Sequence, residues 1–134
     1  MKKHIVLVLI LIASCSFAFS QTHKAAPMNG AMPQVTGAIW GMFNIYDKSK
    51  TPPKPSSSLP SFIFCKSNNW QMTPKGVGES GVYTVDGNKL SLTYGKTGKP
   101  SVYTMTWDAA TKVLKLENAT TVMLWEYSGP SNCN

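Results

Sequence analysis

From Thr36 onward the chain is a succession of short β-rich runs, each ended by turn residues, and few folds accommodate that pattern. The runs are 36–45, 61–66, 70–73, 79–85, 89–94, 101–107, 112–117 and 120–127. Between them stand turn formers such as Ser67-Asn68-Asn69, Asp86-Gly87-Asn88, Asp108-Ala109-Ala110-Thr111 and Asn118-Ala119. Asp86-Gly87-Asn88 is the strongest hairpin signal, because Gly supplies the positive φ of a tight turn. No stretch keeps a helical period over three turns. Consecutive hairpins make an antiparallel meander. Eight strands are about what closes into an up-and-down barrel whose interior holds side chains or one small ligand. Closure also removes exposed sheet edges. The expected fold is therefore all-β, an eight-stranded antiparallel meander closing into a small barrel, with a two-sheet sandwich as the alternative.

Alternation within the runs assigns faces. Leu90, Leu92 and Tyr94 share one side of their strand. Tyr103, Met105 and Trp107 share a side, as do Leu114 and Leu116, and Met123, Trp125 and Tyr127. Phe62 and Phe64 pair likewise, and Tyr83 and Val85 complete the inward set. Residues 46–60 contain four Pro and a Ser triplet, so they read as a long loop.

The chain opens MKKHIVLVLILIASCSFAFSQ, which reads as an export signal. Lys2 and Lys3 are its basic start, Ile5 to Ala13 its apolar stretch, and Ala18-Phe19-Ser20 its cleavage site, so residues 1–20 are removed and Gln21 begins the mature chain. The apolar stretch is too short to span a bilayer. A competing reading takes Ile12-Ala13-Ser14-Cys15 as a lipoprotein box that would make Cys15 a lipidated N-terminus and a membrane anchor. Residues 21–35, with Pro27 and Pro33, read as a flexible lead, residues 36–129 as the barrel, and 130–134 as a tail. The expected location is the periplasm or the extracellular space.

Composition excludes several functions. All thirteen basic residues are Lys; without the signal they exceed the six acids by five. Arg, the residue of bidentate phosphate and base recognition, is absent, and the Lys are scattered, so no nucleic-acid partner is expected. His4 lies in the signal and His23 in the lead, which removes His-based catalysis and the commonest metal ligand from the barrel. The acids Asp47, Glu79, Asp86, Asp108, Glu117 and Glu126 show no acid–base spacing, and Gly76-Val77-Gly78 lacks the remainder of a phosphate loop. Neither an enzyme nor a cofactor or metal site is expected. Cys65 and Cys133 survive processing, and an even pair in an oxidising compartment points to a disulfide; two free thiols are the alternative.

The Gly37-Ala38-Ile39-Trp40 opening, the long loop after it, GVYTVDGNKLSLTYG (81–95), YTMTWDAATKVLKLEN (103–118) and the closing LWEYSG (124–129) together resemble small secreted bacterial lipocalin-like domains over residues 36–129. The resemblance implies that Trp40 plugs the closed end of the barrel. It implies an open end under loop 46–60 that admits a hydrophobic molecule, and a tail tied to the wall by Cys65 and Cys133. The Arg that accompanies the family Trp and the C-terminal helix of larger members are both missing.

Two roles follow. In the first, Phe62, Phe64, Tyr83, Tyr103, Met105, Met123 and Trp125 line an apolar pocket for a small hydrophobic ligand. Taken singly, each of them suits a plain packed core better than a pocket. In the second, the barrel is filled and serves as an envelope-associated scaffold, with loop 46–60 as its contact surface.

Overall fold

The computed structural model describes residues 26–29, 31–73 and 79–134. The expected export signal, with Cys15, and His23 lie outside them.

Ten strands occur in the described residues. Two are very short: β1 (Met28–Asn29) and β2 (Met32–Pro33) form a hairpin of their own. The other eight are β3 (Ala38–Asp47), β4 (Ser61–Phe64), β5 (Asn69–Thr73), β6 (Ser80–Asp86), β7 (Lys89–Tyr94), β8 (Ser101–Asp108), β9 (Val113–Glu117) and β10 (Thr121–Pro130). All neighbours among the eight are antiparallel and sequential, and β10 pairs back onto β3. The result is a closed up-and-down barrel of 9 Å radius. The two-sheet alternative is therefore set aside.

Strand formation follows the alternation. In β3, Ala38, Trp40, Met42 and Asn44 are buried, while the residues between them are less so. Leu90 and Leu92, Tyr103 and Met105, Leu114 and Leu116, and Met123 and Trp125 take the interior on their strands. The β6–β7 turn is two residues long, with Gly87 at φ 55° as its first member. β10 runs three residues further than its β-rich pattern indicates, to Pro130, with register shifts after Leu124 and Tyr127 that keep it on β3.

Two inward assignments fail. Val85 is 42% exposed and Tyr94 43% exposed. Both lie at strand ends, where the barrel opens and the inner face is no longer enclosed. Tyr94 rests only an edge on Trp70, with centroids 5.0 Å apart.

The meander places alternate connections at opposite ends. The turns 65–68, 87–88 and 109–112 mark one, here termed the hairpin end, because residues 26–35 cover it. Loop 48–60 and the turns 95–100 and 118–120 mark the other, the loop end.

Part of the expected flexible lead is ordered. Ala26 and Val35 join the core, Met32 packs against it, and the Gln34 N–H donates to the Pro27 carbonyl at 2.7 Å. Val35, at 2% exposure, is the reason: burying one Val side chain stabilises by about 1.5–3 kcal/mol, enough to hold a short hairpin down. Polar composition hides this, because one well-placed apolar residue suffices.

Candidate functional site

The seven residues expected to line a pocket all point inward and all are buried. Phe62, Phe64, Tyr83 and Trp125 come together in one ring cluster. Phe62 stacks on Trp125 with centroids 4.7 Å apart, Phe64 lies 5.8 Å from Trp125, and Phe64 meets Tyr83 edge-on at 4.8 Å. Rings at these separations are in contact, and each such pair adds about 0.5–1.5 kcal/mol beyond area burial. They form a buried aromatic cluster inside the barrel. Met123, on β10 beside Trp125, is equally buried. Tyr103 and Met105 come from β8; Met105 also borders a cleft of about 410 Å³ at the hairpin end, between Met32–Thr36 and Val85 and Gly87.

Trp70 completes the cluster, 5.6 Å from Phe62, and was not among the inward candidates. Its indole Nε1 donates to the carbonyls of Val82 (3.1 Å) and Thr93 (3.2 Å). Gly81, its cross-strand partner, makes this seat: a Cβ there would overlap the Thr93 carbonyl and stand 2.9 Å from Trp70 Nε1. The signal was present in Trp70-Gln71-Met72, which alternates like its neighbours, but the run is short.

Trp40 is fully buried near the hairpin end, edge-on to Tyr127 at 5.6 Å and Trp107 at 6.4 Å. Its Nε1, like that of Trp125, is buried without a hydrogen-bond partner. The Tyr83 hydroxyl, by contrast, donates to the Cys65 carbonyl at 2.7 Å. Burial raises the pKa of Tyr83, Tyr94 and Tyr103 above the ordinary phenol value.

Cys65 and Cys133 are joined by a disulfide with Cα atoms 4.9 Å apart, across 68 residues. Closing a loop of that length restricts the unfolded chain by about 4 kcal/mol. The Ser67 hydroxyl donates to the Asn134 carbonyl (2.6 Å) and the Ser131 N–H to that of Gly37 (2.8 Å), so the tail is stitched along the hairpin end.

At the loop end the Pro-rich segment is seated on the barrel. β3 pairs with β4 only over Ile39–Gly41, and above that the loop continues the contact. The Met42 N–H donates to Pro60, and the Ser56 N–H to Phe43, at 3.2 and 2.8 Å. Asn44, a buried polar residue on the inner face of β3, donates from Nδ2 to the Pro53 carbonyl at 3.1 Å. Pro lacks an N–H but keeps its carbonyl, so Pro53 and Pro60 serve as acceptors while Ser56 and Lys48 donate. Leu59 packs against the core beside it.

Three carboxylates are held by neighbouring groups. The Asp47 carboxylate accepts the Ser49 hydroxyl and N–H, which hold its pKa low. Asp108 is lowered by Thr111 and Ala110, and Glu117 by Lys115 at 3.1 Å and then Lys48. Among the described residues no His, Cys, Asp and Glu cluster could hold a metal ion. Comparison of the chain with family models, curated proteins and solved structures finds no match to any of them.

Proposed function

We propose that this protein is an exported, non-enzymatic barrel that acts through its outer surface, its interior being filled by its own side chains. The observation that carries the reading is the contact among Phe62, Phe64, Trp70, Tyr83 and Trp125, five rings clustered inside the barrel. The disulfide supports an oxidising, extracytoplasmic location. Native mass spectrometry of protein purified from its own host tests the reading. The chain is expected without a bound lipid, and a stoichiometric co-purified lipid overturns it. The same mass reports whether the chain starts at Gln21 or at a lipidated Cys15.

A second reading keeps the lipocalin-like role, with a small hydrophobic molecule inside. The two unpartnered indole N–H groups of Trp40 and Trp125 favour it, since buried donors call for an acceptor from water or a ligand. Under this reading Trp125→Ala weakens lipid binding. Unchanged binding removes the pocket assignment.

A further inference from the structure

The two ends of the barrel differ in charge. At the hairpin end, the exposed Lys66, Lys89 and Lys112 stand with Asp86 and Asp108, an excess of one positive charge. At the loop end, Lys48, Lys50, Lys54, Lys96 and Lys99 are all exposed. Against them, among the described residues, stand Asp47, Glu79 and Glu117, and Glu117 is held by Lys115. The lysines are scattered along the sequence and gathered only by the meander, which brings loop 48–60 and turn 95–100 to the same end.

Apolar groups sit among these lysines. Ile45 is 41% exposed near the end of β3, Tyr94 stands at the end of β7, and Val102, at the start of β8, is 50% exposed. The loop that carries Lys50 and Lys54 is seated by Asn44, Phe43 and Met42, so its charges are presented from a fixed surface. Lysines on a rim that carries Ile45 on one side and Tyr94 and Val102 on the opposite side match the boundary of an anionic bilayer. There the head groups attract the ammonium ions, and apolar groups enter the interface. Arg, the usual reader of nucleic-acid phosphates and bases, is absent.

Resting on the reading that the barrel acts through its surface, we infer that the loop end docks on an anionic lipid bilayer through Lys50, Lys54, Lys96 and Lys99 around Ile45, Tyr94 and Val102. Docking is reversible and electrostatic, so it weakens with salt.

Co-sedimentation of the oxidised protein with vesicles of phosphatidylcholine and phosphatidylglycerol tests this, with pure phosphatidylcholine vesicles alongside. Binding is expected only to the mixed vesicles. It is expected to vanish near 1 M salt, where the Debye length is about 3 Å. The triple variant Lys50→Gln, Lys54→Gln, Lys99→Gln is expected to bind on the order of 100-fold more weakly, at roughly fivefold per lysine. Lys66→Gln, Lys89→Gln, Lys112→Gln makes the same charge change at the other end and is expected to stay within about twofold, because those groups lie beyond a Debye length from the bilayer. Thermal melts check that both variants fold as the parent does. No binding to mixed vesicles, equal binding to neutral ones, equal loss in both triples, or lysine-dependent binding only to a soluble polyanion such as DNA each overturns the inference. Failure here with no co-purified lipid leaves the filled-barrel reading standing. A lipid found inside the barrel sinks that reading independently of the vesicles.

Discussion

The hairpin end and the loop end are closed by different means. The hairpin end is secured by burial of Ala26 and Val35 and by a covalent bond between Cys65 and Cys133. The loop end is secured by a few hydrogen bonds to proline-rich backbone, with Leu59 as its apolar contact. The first end is stable and nearly neutral; the second is more lightly held and basic. A segment whose prolines remove backbone donors is still seated when its partner strand supplies them, as Met42 and Asn44 do.

The largest expected effect strikes what both ends share. Trp125→Ala removes the ring between Phe62 and Phe64 and should destabilise the protein by about 3–5 kcal/mol in urea unfolding, with both ends lost in one transition. Cys133→Ser should cost up to about 4 kcal/mol. At native conditions it should raise amide exchange at residues 65–68 and 131–134 while leaving 48–60 as it was; equal loosening at both ends would erase the contrast. Gly81→Ala should cost about 1–3 kcal/mol, because the Thr93 carbonyl and the Trp70 indole must both move. Asn44→Ala should cost only about 1–2 kcal/mol, with faster exchange of the Ser56 N–H and an unchanged tail.

The smallest effect appears only in alkali. Tyr83 near the hairpin end and Tyr94 at the loop end both hold their protons more tightly folded than unfolded. Their contribution is complete below the ordinary phenol value of about 10 and is lost as pH rises through the folded values. A spectrophotometric titration should show the late ionisation, and Tyr83→Phe should remove part of the alkaline loss. Normal titration of all tyrosines would show that burial does not govern them.

Much of the fold was legible before any contact was known. The strand runs and hairpins sit within a few residues of their expected places, since alternation and turn chemistry are local. Phe62, Phe64, Tyr83, Tyr103, Met105, Met123 and Trp125 were placed inside for the same reason. The failures are positional. Val85 and Tyr94 obey the alternation but fall where the barrel opens. Asn44 breaks the apolar pattern of β3 and finds its partner nine residues on, in the Pro- and Ser-rich loop. Val35 hides in a polar lead.

By itself, then, the sequence determined the eight barrel strands, their order as a meander and the faces most of their side chains take. These depend on residues one, two or four positions apart. Tertiary structure alone decided that β10 would meet β3, that Cys133 would reach Cys65, that the rings would cluster inside the barrel, and that scattered lysines would gather at the loop end. Each of those is a distance between residues remote in the chain, set only when the barrel closes.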